Sequence, residues 1–241
     1  NIGDEYRHMH PVLTPWRDTG LAMRGPVVQA VQLSFAEDWY WATESLPPLN
    51  WTPTVSSDAD MQMLMVGTGP ADNVESCALF FESLIHQARE RLWIVSPYFV
   101  PDVAIIHALQ LAAMRGVDVR IMLPELADKH SIKLSSFTAI RETLPQGVQF
   151  YYYQRGFLHQ KVLLVDDDIA SVGTANLDNR SFRLNFEISA VIYDQDFAQE
   201  LADMLQQDFQ LCRQLLPAEV AKWSLLRRLL SRCAYLFAPL Q

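Results

Sequence analysis

The 241-residue chain is short of cysteine, of positive charge and of long apolar runs. Its 3 cysteines, Cys77, Cys212 and Cys233, are odd in number and widely separated. That excludes a disulfide framework and any cysteine-spaced metal centre, and it reads as reduced thiols. Only 19 Lys and Arg stand against 28 Asp and Glu, a formal net charge of -9. This argues against general nucleic-acid binding, which needs a basic footprint. It leaves an anionic substrate open, because local charge decides contacts. No uncharged apolar run reaches the roughly 18 residues that would span a bilayer. No signal peptide is visible and the first residue is Asn, so the native N-terminus is expected elsewhere. What is present is a composition of 50% hydrophobic and 20% charged residues, the profile of a folded chain with a core.

Residues 1–23 read as irregular, punctuated by Pro11, Pro15 and Gly20. Helical spacing of Val27, Ala30, Val31, Phe35 and Trp39 after Pro26 predicts a helix over 26–45. Pro47, Pro48, Pro53 and a Ser/Asp cluster predict a linker over 46–60. From residue 61 strands and helices alternate. Strands are expected at 61–67, 91–99, 117–123, 148–153, 159–167, 169–173 and 186–194. Helices are expected at 73–90, 102–115, 128–143 and 196–215. That order argues for an α/β sheet with helices on its faces.

The chemistry concentrates in FLHQKVLLVDDDIASVGTANLDNRSFRLNFE, residues 157–187. His159 and Lys161 are two apart, so on a strand they share a face. After a turn at Asp167-Asp168, a returning strand brings Thr174 and Asn176 back beside them. An imidazole, an ammonium, a hydroxyl and a carboxamide on one patch suit a phosphate. Lys161 supplies charge, Thr174 and Asn176 supply neutral donors, and His159 can attack or protonate. Glu187, on the next strand, is placed to hold the ring tautomer of His159. Asp166 completes the pattern H-x-K-x4-D-x6-G-T-x-N, whose fixed spacing sets it apart from a chance His-x-Lys pair.

This pattern resembles the HKD signature of the phospholipase D superfamily. With GPVVQAVQLSFAEDW, SPYFVPD, LQLAAMRGVDVRIMLP and RSFRLNFE, nearly the whole chain is similar to the second half of bacterial cardiolipin synthases. The resemblance implies a phospholipase D-like lobe, a mixed central β-sheet flanked by helices on both faces. It implies two HKD lobes meeting around one site. One His forms a phosphohistidine, and the other protonates the leaving alcohol and deprotonates the incoming one, with no metal or other cofactor. A second-lobe His such as His159 is expected to be the acid–base. Asp166 is expected to brace the backbone rather than touch phosphate.

The resemblance also orders the chain. NIGDEY, residues 1–6, looks like the tail of a first HKD motif, with Asn1 as the substrate-binding counterpart of Asn176. Residues 1–60 are then the tail of the first lobe and a connector, 61–216 the second lobe, and 217–241 a basic amphipathic segment. Asp18 reads either as the acid partner of the missing first His or as a turn carboxylate. The implied partners are phosphatidylglycerol, an anionic phospholipid, the membrane surface and the N-terminal lobe of the same parent; no nucleic acid is expected. The implied location is the bacterial inner membrane, with the catalytic domain facing the cytoplasm. By itself the chain is expected to be inactive or weakly active. Two other readings stand beside this one: a homodimeric phosphodiesterase or nuclease contributing one motif per chain, and a truncated half without activity. In the last segment, 223–237, leucines share one helical face with arginines elsewhere, which reads as interfacial membrane contact or as a helix packed on the other lobe.

Overall fold

The structure is a computed structural model that describes Asp4 and residues 13–55 and 60–241. Asn1 lies outside the described residues, so its expected role has no structural counterpart here. In chain order the elements are β1 (Trp16–Arg17), α1 (Val28–Thr43), β2 (Gln62–Thr68), α2 (Ser76–Gln87), β3 (Arg91–Val95), β4 (Phe99–Val100) and α3 (Val103–Met114). They continue with β5 (Asp118–Pro124), α4 (His130–Thr143), β6 (Gln149–Tyr153), β7 (Phe157–Leu158), β8 (Val162–Val165), β9 (Ile169–Gly173), β10 (Leu177–Asp178) and α5 (Asn179–Arg183). The last are β11 (Glu187–Tyr193), α6 (Gln195–Gln210), β12 (Cys212–Gln214), α7 (Pro217–Ala221) and α8 (Leu225–Tyr235).

Eight strands form the central sheet in the order β12-β6-β5-β3-β8-β9-β11-β2. β3, β5 and β6 run parallel; the other neighbours are antiparallel, so the sheet is mixed. β8 is apolar at every position, and β3, β5 and β9 nearly so, because both faces of the middle strands are covered. The period of two then divides each strand between two cores. Leu92 and Ile94 of β3, Ile121 of β5 and Leu163 of β8 join the core made with α2, α3 and α4. Trp93, Val95, Met122 and Leu164 join the opposite core, made with α6. α6 turns Leu201 and Leu205 inward and is capped by Asp194, which accepts from the Phe197 amide at 2.8 Å.

Three expected elements are cut differently. The strand expected over 91–99 stops at Val95, since Pro97 has no N–H to give a ladder. Ser96 fills the break, its hydroxyl donating to Tyr98 O at 2.7 Å and accepting from Leu177 N at 3.1 Å. Phe99–Val100 then pairs with β10 in a sheet of its own. The helix expected over 196–215 ends at Gln210, and Cys212–Gln214 add an antiparallel edge to Tyr151–Tyr153. The strand expected from 159 begins at Val162. His159, Gln160 and Lys161 form a straight connector between β7 and β8.

The segment before α1 is bound into this lobe. β1 runs parallel to β7, with Trp16 opposite Phe157 and Arg17 opposite Leu158. Gly156, at φ +97°, makes that approach possible: a Cβ there would overlap the Pro15 backbone.

Candidate active site

The His159–Lys161 connector sits where β1, β7, β8 and β9 converge. The His159 amide donates to Arg17 O at 2.8 Å. The ring packs against Trp16 and Phe157, with centroids 5.0 and 5.9 Å away. Nδ1 is 3.0 Å from Asp18 Oδ2, and both side chains are about one-fifth exposed. A carboxylate on Nδ1 holds that nitrogen protonated and turns Nε2 toward the cleft. Lys161 Nζ donates to His159 O at 2.7 Å and stands 3.0 Å from Nε2. Burial lowers the Lys161 pKa to about 8, against the opposing pull of Asp18 and then Glu187. Around neutral pH it is still chiefly an ammonium.

β9 carries the third group. Gly173 N donates to Lys161 O at 3.1 Å, which extends the β8–β9 ladder and sets Thr174 beside the pair. His159, Lys161, Thr174 and Asp18 line one side of a cleft of about 630 Å³. Leu21, Met23, Val31, Met65 and Val172 line it with hydrocarbon. The cleft therefore offers a cationic, hydrogen-bonding end next to an apolar wall.

The remaining expected site residues lie elsewhere. Asp166 is at the far end of β8, at φ +50°, a left-handed geometry that Asp tolerates. Its carboxylate accepts from the backbone amides of Arg89, Glu90 and Arg91 at 2.8 to 3.1 Å. It therefore ties the α2–β3 connection to the hairpin turn. Asn176 falls past the cleft lining. Its amide donates to Ser181 Oγ at 3.0 Å, and its buried carboxamide oxygen has no hydrogen-bond partner among the described residues.

Glu187 differs from its expected role at the His159 ring. Thr174 Oγ1 donates to its Oε2 at 2.5 Å, and Ser181 Oγ and Asn185 Nδ2 donate to Oε1 at 2.8 and 3.1 Å. The RSFRLNFE stretch thus holds its own glutamate. Asp18, read from the sequence either as the acid partner of a first-lobe His or as a turn carboxylate, instead pairs with His159 of this lobe, because β1 runs directly into it.

Residues that sequence reasoning missed join the two segments beneath the site. Gln160, fully buried, accepts from Thr19 Oγ1 at 2.6 Å and donates to Asp208 Oδ2 at 2.8 Å. Arg17 donates to Asp208 Oδ1 at 3.0 Å and, through its other arm, to Asp18 O at 2.9 Å. The chain Arg17–Asp208–Gln160–Thr19 therefore fixes the Asp18 segment against the His159 segment. One signal was available: Asp208 falls on the inward face of α6 with Leu201 and Leu205, where an acid needs partners.

A family model described as "Cardiolipin synthase, PLD-like domain" matches residues 81–209. Cardiolipin synthase A of Pseudomonas putida is 48% identical over 240 residues, covering 100% of this chain and 50% of that protein. Cardiolipin synthase A of Pseudomonas aeruginosa is 49% identical over the same span, 49% of its length. The chain thus spans about half the length of these curated relatives. Among solved structures, phosphatidylserine synthase from Haemophilus influenzae aligns with a TM-score of 0.61 at 17% identity, over 89% of this chain and 54% of that one. Nuc from Salmonella typhimurium, a phospholipase D family member, aligns with a TM-score of 0.56 at 21% identity, over 65% of this chain and 99% of that one. At such identities these two report on fold, and they carry the same mixed sheet between helices. With a family model matching residues 81–209 and relatives 48–49% identical over its whole length, the chain belongs to the phospholipase D-like family of cardiolipin synthases.

Proposed function

We propose that this chain is the second catalytic half of a cardiolipin synthase, which transfers a phosphatidyl group from one phosphatidylglycerol to another and releases glycerol. The observation that carries the proposal is the His159 ring, fixed by Asp18 and flanked by Lys161, at the polar end of a cleft with a hydrocarbon wall. That pairing of surfaces suits a phosphodiester with acyl chains. The half-length match to the relatives supports a first lobe that supplies the second histidine.

In this reading the first lobe's His attacks phosphorus and the bond to the leaving glycerol oxygen breaks. His159 gives that oxygen its proton. The hydroxyl of a second phosphatidylglycerol then returns a proton to His159 and attacks the phosphohistidine, breaking the P–N bond. Asp18 stabilises the imidazolium in each half-reaction. Lys161 and Thr174 hold the phosphoryl oxygens, and Asn1 does so for the first lobe. Asp18 comes from before the lobe and serves its His. Glu187, which accepts from Thr174 of the cleft lining, serves the first lobe's His by the same logic. The boundaries at 60 and 216 belong to this proposal, as does action at the bacterial inner membrane.

The test is the full-length parent with and without His159→Ala, given phosphatidylglycerol vesicles, with lipids and glycerol read by mass spectrometry. The parent makes cardiolipin and glycerol, and the variant falls by at least about 10⁴-fold. Phosphatidic acid without cardiolipin from the parent would overturn transfer in favour of hydrolysis.

A further inference from the structure

α8 turns its apolar side away from the protein. Its inward side carries Arg227, whose guanidinium lies 4.0 Å from the Phe137 ring centroid and 4.3 Å from that of Trp223. Ser231, 2% exposed, follows one turn later and donates to Arg227 O at 2.7 Å. The outward side carries Leu225, Leu226, Leu229, Leu230, Leu236 and Phe237, all exposed, Leu225 to 82% and Leu236 to 79%. Single exposed leucines are ordinary, but a contiguous set on one helix marks an interaction surface.

Charge says what covers it. Residues 220–241 hold four basic residues, Lys222, Arg227, Arg228 and Arg232, and no acidic one, inside a chain of net charge -9. A second copy laid on the same face would set like charges together. An anionic lipid surface matches the leucines together with the exposed Lys222 and Arg232, Arg227 being turned inward. No helix among the described residues is long and apolar enough to cross a membrane, so contact in the interface plane is the mode that fits. Two hydrogen bonds fasten the C-terminal end of α8 to the lobe. Tyr235 Oη donates to Pro101 O at 3.3 Å, and Arg180 N donates to Gln241 O at 2.8 Å. Both partners flank β4 and β10, so the C-terminal end of α8 is fastened beside that two-stranded sheet.

We propose that the outward face of α8 docks on an anionic lipid surface. This adds to the transfer reading an interface that acts without turnover, so the two fail separately. The test is flotation of this chain with phosphatidylcholine vesicles, alone or doped with phosphatidylglycerol. The chain floats with the doped vesicles, and added salt weakens the binding. Leu225→Gln/Leu229→Gln/Leu236→Gln lowers partitioning at least about tenfold, and Arg232→Glu lowers it on the order of tenfold with doped vesicles only. All four positions are exposed, so the variants keep the melting temperature of the parent chain. Absence of binding, equal binding to neutral vesicles, or wild-type binding by the leucine variant overturns the proposal. So does loss of binding when the N-terminal half is supplied and covers the leucines, which would assign the face to that half. A concentration-dependent dimer abolished by the leucine variant would assign it to a second copy.

Discussion

The two ends of the β8–β9 hairpin use the same residue types for different purposes. At one end Asp18 meets an imidazole, exposed enough to serve a substrate. At the other, Asp166 meets only backbone amides and holds a turn. Both are carboxylates accepting from N–H groups. In the proposed mechanism only the first is coupled to a group that gains and loses a proton. A signature that spans the whole hairpin thus contains a reactive end and a structural end, and the residue names do not distinguish them.

The contrast breaks most sharply at the reactive end. Asp18→Asn in the full-length parent removes the charge that stabilises the His159 imidazolium and frees the ring tautomer. The expected loss in kcat is roughly 10²- to 10⁴-fold, with a melting temperature close to the parent's. Steady-state kinetics beside calorimetry checks it; a large drop in melting temperature with unchanged kcat would place Asp18 with Asp166. At the other end, Asp166→Ala leaves the amides of residues 89–91 without their acceptor. Denaturant unfolding of this chain is expected to show a loss of about 3 kcal/mol. Activity per folded molecule of the full-length parent should hold, and a selective loss of kcat would erase the contrast.

The smallest effect has the opposite sign. Burial drops Lys161 from its ordinary 10.5 to about 8, so below pH 8 the folded state carries a penalised ammonium that the unfolded chain solvates. Between pH 8 and 10.5 the unfolded chain binds more protons, and stability rises with pH. Lys161→Met therefore stabilises the fold at pH 7 by about 2 kcal/mol while abolishing turnover. The gain fades as pH approaches 10.5. Urea titrations across that range measure it, and a gain independent of pH would mean that packing, rather than charge, is responsible.

Much of the architecture was legible because apolar periodicity reports which faces are covered. β5, β6, β11 and α3 fall where their patterns place them. His159, Lys161 and Thr174 were legible because a fixed-length hairpin converts spacing into proximity. What escaped depends on pairings between distant segments. Nothing local in PWRDTG says that Asp18 reaches residue 159; only the β1–β7 pairing and the space over Gly156 bring it there. Gln160 was hidden because it lies between two signature residues and makes its bonds to Thr19 and Asp208. The break at Ser96–Tyr98 escaped because the hydrophobicity of 91–100 continues through the proline.

The docking of β1 on β7 has a consequence for modularity. The peptide stretch over 46–60 is the natural place to cut or recombine the polypeptide, since it separates Asp18 from most of the sheet in sequence. A crossover there would exchange the acid while keeping the imidazole, the glutamine and Asp208. Chimeras between relatives joined within 46–60 therefore inherit mismatched halves of one hydrogen-bond network, whereas those joined upstream of residue 13 inherit the network whole.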